Sequence, residues 1–262
     1  MAKTFKISRA EIRQRLYQRR YVLPNAITVG SMFCGFLAVI YATSFRFENA
    51  VLSILFAILL DGLDGKVARR FNATSKFGVE FDSLSDLVSF GIGPAILVYN
   101  WCFKLPADEF GVFVCFCYAL CAASRLARFN VTVSNTSSFE GLPSPAAAAL
   151  VCSMVYLSPT PSSSIWLIPA VSIMLFGVAF LMVSRIPFFS IKKLKIGEIS
   201  VSIKIAVGVL IALIWYLPRF GLFTLALVYA ISGVWKHYFY RSRNTGLAHS
   251  ESSQPESIVG KS

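Results

Sequence analysis

Charged residues are scarce in this 262-residue sequence, at 15% of the chain. Soluble domains carry about a quarter. A hydrophobic fraction of 56% and a mean hydropathy of +0.65 are instead typical of a polytopic membrane protein. The net charge is +12, but the basic residues stand at the ends of apolar runs, which membrane topology explains better than nucleic-acid binding does. We therefore expect a membrane protein with no nucleic-acid partner.

Histidine is almost missing, and the cysteines form no metal-binding pattern. The two histidines, His237 and His249, both lie near the C-terminus. This argues against a histidine base and against a metal site built from several histidines. The six cysteines stand in or beside apolar segments without the spacing of paired metal ligands. We interpret them as small hydrophobic side chains.

Long apolar runs follow one another through the chain. Each has about 18–24 residues, which as a helix crosses a hydrocarbon core of about 30 Å. The sequence therefore predicts an all-α fold, a polytopic membrane helical bundle with about eight transmembrane helices. The predicted spans are 23–44, 48–70, 78–100, 108–131, 142–159, 163–184, 200–217 and 219–239.

Basic residues predict the orientation. With eight spans, Arg46, Lys104 and Arg219 lie on one side and the remaining 22 of the 25 basic residues on the other. By the positive-inside rule the second side is cytoplasmic, and both termini lie there. Residues 1–20 form a basic cytoplasmic segment, either a helix on an anionic leaflet or a plain positive flank. Residues 21–240 form the membrane domain, and 241–262 a disordered cytoplasmic tail. The expected location is the cell (inner) membrane.

The stretch from Asp61 to Asp86 holds five of the 13 acidic residues. Asp61 and Asp64 are three residues apart, and Asp82 and Asp86 four, so each pair shares a helix face. Gly65 and Ala68 extend the first face with very small side chains. Four nearby carboxylates would repel one another unless cations lay between them, and oxygen-only ligands favour magnesium, manganese or calcium over zinc. The alternative is a set of helix-end ion pairs with neighbouring Lys and Arg, which explains four aspartates on glycine-bearing faces less well.

These residues carry a family resemblance. The pattern Asp61-x2-Asp64-Gly65-x2-Ala68-Arg69-x8-Gly78-x3-Asp82-x3-Asp86 resembles the signature of the CDP-alcohol phosphotransferases at every fixed position. The resemblance implies an integral membrane enzyme, a homodimer, that moves a phosphatidyl group from a CDP-lipid to an alcohol and releases CMP. It implies that Asp61, Asp64, Asp82 and Asp86 bind two divalent cations, Mg²⁺ or Mn²⁺. Asp86 would be the general base, and Asp61, Gly65, Ala68, Arg69 and Gly78 would contact the CDP moiety.

Further segments resemble the phosphatidylserine synthase branch of that family. They are 23–28 with Cys34-Gly35, 125–130, 139–145, and 182–184 through Lys192-Lys193. The branch implies CDP-diacylglycerol and L-serine as substrates, with membrane lipid around the protein. Asn25 and Thr28, one turn apart, either bond the nucleotide or begin a helix after Pro24. The candidates for binding the serine carboxylate or a lipid phosphate are Arg125, Arg128, Asn130, Arg185 and Lys193.

Other functions remain open at this stage. Basic residues near the spans also serve as topology anchors, and Gly141, Pro143 and Pro145 most simply form a tight turn. A sister phosphatidyltransferase would use glycerol phosphate, inositol phosphate or choline in place of serine. A cation or proton transporter would use the aspartates for ion relay, although relay does not require the glycines or Arg69. A prenyl-diphosphate transferase also uses aspartates with magnesium, but with a different spacing.

Overall fold

A computed structural model describes residues 9–71, 75–104, 108–132, 141–161, 166–186 and 216–233, with side chains from residue 22 onward except those of 108 and 132. These residues are helical and contain no strand, which confirms the all-α prediction. The predicted span at 200–217 lies almost wholly outside the described residues, as does the tail 241–262. The helices are α1 (Arg9–Thr43), α2 (Phe47–Arg70), α3 (Lys76–Phe103), α4 (Asp108–Thr132), α5 (Ser144–Leu157), α6 (Leu167–Val183) and α7 (Pro218–Gly233).

Three of the described helical stretches have the length and apolar composition that a membrane crossing requires. Within the described ranges, the stretches Val22–Thr43, Lys76–Phe103 and Glu109–Val131 are long and apolar enough to cross a bilayer. Shorter apolar helices cover Ser144–Leu157, Leu167–Val183 and Pro218–Gly233. The protein is therefore a helical membrane protein.

Helix α1 continues through Pro24 without a break. One interpretation of the sequence placed a helix start directly after Pro24, with Asn25 or Thr28 as its cap, and that interpretation was wrong. Thr28 lies inside the helix. Its single hydroxyl proton is shared between the carbonyl of Pro24, at 3.2 Å, and an acceptor on the neighbouring helix α2. Membrane helices tolerate such prolines because neighbouring helices and hydroxyl side chains supply replacement hydrogen bonds.

Helices α1 and α2 form a tight antiparallel hairpin. The chain turns at Phe45, whose φ of 57° is left-handed, and Arg46 N–H donates to the carbonyl of Tyr41 at 2.8 Å. Between the helices lie fully buried small residues, among them Ala38 and Ala57. Small side chains allow the backbones to approach closely, as is common between membrane helices. The hairpin holds the aspartate end of α2 against α1.

Helix α3 contains two π-helical stretches, Leu87–Ile92 and Tyr99–Phe103, which the sequence did not predict. The N–H of Gly93 donates to the carbonyl of Val88, five residues earlier. The next residue is Pro94, which lacks an N–H and cannot continue the ordinary helical ladder. The first π-helical stretch begins immediately after Asp86, so it changes the direction of the residues that follow the second aspartate pair.

Hydroxyl groups fasten α3 to α1 behind the aspartates. Ser85 Oγ donates to the carbonyl of Thr28 at 3.2 Å, and Ser89 Oγ donates to that of Ser31 at 3.1 Å. Gly35 lies at the closest approach, since a Cβ added there would stand 2.7 Å from the Cα of Ser89. A side chain at this position would therefore push the two helices apart.

The segment before α5 is docked on the end of α6. Gly141 has a φ of 79°, as a tight turn allows, and its N–H donates to the carbonyl of Ile186 at 2.9 Å. Leu142 N–H donates to the carbonyl of Leu181 at the same distance. These bonds fix where α5 begins, and so they fix the position of Ser144.

The far end of the bundle holds the three basic residues that the sequence assigned to the other side. Arg46 stacks on the ring of Tyr41, and Lys104 lies 4.9 Å from the ring centroid of Phe45. Arg219 of α7 pairs with Glu48 at 2.6 Å. These cations therefore lie at the end of α2 opposite to Asp61 and Asp64.

Candidate active site

Three carboxylates converge where the end of α2 faces the start of α3. Oxygen atoms of Asp61, Asp64 and Asp82 lie within 4.8 Å of one another. The helix period places Asp61 and Asp64 on one face of α2, and the packing of α3 brings Asp82 to that face. An all-oxygen donor set of this size suits a hard divalent cation such as Mg²⁺ or Mn²⁺. The three carboxylates could therefore hold a metal ion.

Asp86 lies one helical turn beyond Asp82 and beside the group of three. Its carboxyl is within hydrogen-bonding reach of Asp61 and within electrostatic range of Asp82. It is half-buried, whereas Asp64 is only 4% exposed. Asp86 is thus placed to act beside a bound cation, at the inner edge of the carboxylate group.

Thr28 orients the most buried of the four aspartates. Its Oγ1 donates to Oδ2 of Asp64 at 2.9 Å, across a separation of 36 residues. Thr28 is itself 5% exposed, so the bond is shielded from water. A hydrogen bond to a metal-binding carboxylate fixes the direction in which its oxygens point.

A cavity of about 170 Å³ opens beside Asp64 and Asp82. It is smaller than the usual ligand pocket of about 300–1,000 Å³, so it would enclose only part of a nucleotide. Six of the seven residues predicted to contact CDP line it, all except Asp61. They are Asn25, Thr28, Gly65, Ala68, Arg69 and Gly78.

The cavity floor depends on small residues. A Cβ added at Gly78 would stand 3.1 Å from Ser75 Oγ and 3.4 Å from Asn25 Oδ1, which is tight. One added at Gly65 would meet the guanidinium of Arg69 at 3.6 Å. The sequence analysis missed Ser75, which also lines the cavity and caps α3 by accepting from Gly78 N–H at 2.9 Å. A serine directly before a helix is the N-cap signal that could have found it.

The basic candidates separate into different environments. Arg125 extends between helices, where its Nη1 donates to Ser144 Oγ at 2.9 Å, and it lies within electrostatic range of Asp86. Arg128 is exposed and its Nη1 donates to the carbonyl of Val183 at 2.8 Å. Arg185 is also exposed, and Lys193 lies outside the described residues. The structure thus brings Arg125 within electrostatic range of one of the four aspartates.

Asn130 connects the end of α4 to α3. Its Nδ2 donates to Glu80 Oε2 at 3.1 Å, and its Oδ1 accepts from Ser83 Oγ at 3.1 Å. Both ends of the amide are therefore engaged with α3. These bonds give Asn130 a bracing role between the two helices that bear Arg125 and Asp82.

Residues 21–183 match the sequence model of the CDP-alcohol phosphatidyltransferase family. The chain belongs to this family. The match covers every residue of the aspartate signature, and α7 lies beyond it. In this CDP-alcohol phosphatidyltransferase, the four signature aspartates are the ones that α2 and α3 bring together.

Three relatives of this CDP-alcohol phosphatidyltransferase carry the name CDP-diacylglycerol–serine O-phosphatidyltransferase. The protein from Helicobacter pylori strain 26695 is 36% identical over 228 residues, which are 84% of this chain and 92% of that protein. The Bacillus subtilis protein is 37% identical over 172 residues, covering 65% of this chain and 92% of the relative. The Saccharomyces cerevisiae protein is 37% identical over 154 residues, 53% of this chain and 55% of that protein.

Proposed function

We propose that this protein transfers the phosphatidyl group of CDP-diacylglycerol to the hydroxyl of L-serine, giving phosphatidylserine and CMP. The observation that carries the proposal is the carboxylate group of α2 and α3 beside a cavity lined by the CDP signature residues. The bacterial and yeast relatives named for serine transfer favour serine over other alcohols.

The proposed cofactor is a pair of divalent cations, Mg²⁺ or Mn²⁺. Asp61, Asp64 and Asp82 would hold them, with Asp86 at the edge of the group. When bound, such ions neutralise a pyrophosphate and stabilise the negative charge on the leaving group. Thr28 would keep Asp64 turned towards the cation through its 2.9 Å hydrogen bond.

The remaining chemistry is assigned to residues of the chain. The serine oxygen forms a bond to the phosphorus that carries diacylglycerol, and the bond from that phosphorus to the oxygen bridging to CMP breaks. Asp86 accepts the hydroxyl proton, directly or through water. Asn25, Arg69 and the small residues of the cavity floor would bind the CDP moiety, and Arg125 would bind the serine carboxylate.

The proposed location is the cell (inner) membrane, with the active site and both termini on the cytoplasmic side. Lys66, Arg69 and Arg70 at the end of α2, together with Arg128 at the end of α4, give the aspartate end its positive charge. Arg128, Arg185 and Lys193 are candidates for binding lipid phosphate at that surface. A homodimer is proposed from the family resemblance, and cross-linking in native membranes would test it.

An acceptor panel tests the function. The purified protein would receive CDP-diacylglycerol and Mn²⁺, with L-serine, glycerol phosphate, inositol phosphate or choline as acceptor. We expect CMP release with L-serine and little with the others. Release that does not depend on serine would overturn the acceptor. Ion flux in protein-containing liposomes without any CMP release would instead favour the transporter alternative.

A further inference from the structure

Ser144, at the start of α5, bonds the guanidinium of Arg125, which lies within electrostatic range of the proposed base, Asp86. Its hydroxyl is fully buried, at 0% exposure, and Oγ accepts from Nη1 of Arg125 at 2.9 Å. We propose that Ser144 is a positioning residue that fixes Arg125 for the carboxylate of the acceptor amino acid. This inference rests on the proposed function, because it takes L-serine to be the acceptor.

The unused part of Arg125 has the geometry that a carboxylate needs. Its Nε is buried and has no hydrogen-bond partner in the part of the chain that the structure describes. A buried donor without a partner is costly, so such an atom calls for a ligand. Because Ser144 holds Nη1, the edge formed by Nε and Nη2 is left facing away from it. That edge presents two parallel N–H groups, which match the two oxygens of a carboxylate.

The position of Arg125 suits the acceptor rather than the nucleotide. It does not line the cavity beside Asp64, but it lies within electrostatic range of Asp86. In serine the carboxylate and the hydroxymethyl group are attached to the same carbon. A carboxylate held at Arg125 therefore leaves the hydroxyl near Asp86, the proposed base.

Two further elements keep this arrangement in place. Ser144 lies two residues after Leu142, and the N–H groups of Gly141 and Leu142 are bonded to the end of α6 at 2.9 Å. On the other side, Tyr229 of α7 lies within electrostatic range of Arg125. Arg125 is thus bonded to α5 and lies within electrostatic range of α7, which lies outside the segment that the family model matches.

The test is Ser144→Ala, with CMP release measured against L-serine and against L-serinamide, which lacks the carboxylate. Losing one hydrogen bond to a charged group predicts a KM for serine raised by about tenfold. The KM for serinamide, the KM for CDP-diacylglycerol and the Mn²⁺ dependence should stay at wild-type values. The control is Ser153→Ala, a buried serine of the same helix whose Oγ donates to the carbonyl of Leu150 at 2.8 Å. It should leave both acceptor KM values unchanged.

Ser144→Cys provides the same test if the alanine variant does not fold, since it keeps the volume and weakens the acceptor. An unchanged serine KM in the folded variant, or an equal rise for serine and serinamide, would refute the positioning role. An Arg125→Lys variant should add little to the loss in Ser144→Ala, because the two residues act as one unit. If CMP release by the wild type does not depend on serine, the proposed function itself fails. If release depends on serine but the serine KM of Ser144→Ala is unaltered, only the positioning role fails.

Discussion

Replacing Thr28 with valine should weaken metal binding without changing the shape of the site. Valine keeps the volume of threonine but removes the hydroxyl that donates to Asp64 Oδ2 at 2.9 Å. Asp64 is 4% exposed, so little water can replace the lost donor. Loss of the hydrogen-bond partner of a metal-binding side chain typically lowers metal affinity about 10- to 100-fold. We expect the Mn²⁺ concentration for half-maximal CMP release to rise by about tenfold, with most of the rate recovered at saturating Mn²⁺.

Thr43→Val is the matched control for this prediction. Thr43 lies on the same helix, and its Oγ1 bonds only to carbonyls of its own helix, those of Val39 and Ile40 at 3.1 and 3.0 Å. It should titrate with Mn²⁺ like the wild type. If Thr28→Val shows an unchanged Mn²⁺ midpoint, Thr28 does not orient a metal-binding carboxylate. If only the KM for CDP-diacylglycerol rises, its role is to contact the nucleotide.

Four other variants, with one control, separate the roles of the site and its scaffold. Asp82→Asn should raise the Mn²⁺ concentration for half-maximal CMP release at least about tenfold. Asp86→Asn should instead lower the maximal rate about 10²- to 10⁴-fold at every Mn²⁺ concentration. Equal effects of the two variants on the Mn²⁺ dependence would refute the division between metal ligand and base. Gly35→Ala should destabilise the purified protein by about 1–3 kcal/mol, because the added methyl group would overpack against α3. The control Gly177→Ala should not, since a Cβ added there meets nothing within 4 Å. Equal melting temperatures of the two variants would contradict the close approach of α1 to α3 at Gly35. Gly141 has a φ of 79°, and a Cβ added there would meet the backbone carbonyl of Met182 in α6. Gly141→Ala should therefore lower the free energy of unfolding by more than about 1 kcal/mol and weaken serine binding. A variant with wild-type stability would show that the turn adapts.

The sequence predicted most of the helical framework because that information is local. Apolar runs ending near charged residues placed α2, α3 and α4 within a few residues of their observed ends. The spacing of the four aspartates predicted two carboxylate faces, since a helix period depends on neighbours only. The family resemblance supplied the CDP-lipid, and the family model covers the same residues.

Contacts between distant segments could not be predicted in this way. The bond from Thr28 to Asp64 joins residues 36 apart, and that from Arg125 to Ser144 joins residues 19 apart. Neither pair has a spacing that marks it. The π-helical stretches of α3 were missed because the apolar pattern of a span does not distinguish one extra residue per turn. A helix start after Pro24 was one of two interpretations because proline is common in the first turn of a helix, whereas a membrane helix tolerates proline in its interior.

The division between local and distant contacts corresponds to a division of chemical roles. The proposed metal ligands and most of the proposed CDP contacts come from α2 and the start of α3, which the signature defines, and α1 adds Asn25 and Thr28. The proposed acceptor contacts come from the end of α4 and the start of α5, with Tyr229 of α7 beside them. An enzyme of this family could therefore keep the aspartates and the cavity unchanged and accept a different alcohol by altering what surrounds Arg125. In this interpretation the bond to Ser144 matters because it leaves the carboxylate-binding edge of the Arg125 guanidinium open. Without that bond, the enzyme would favour serine less strongly over an alcohol that lacks a carboxylate.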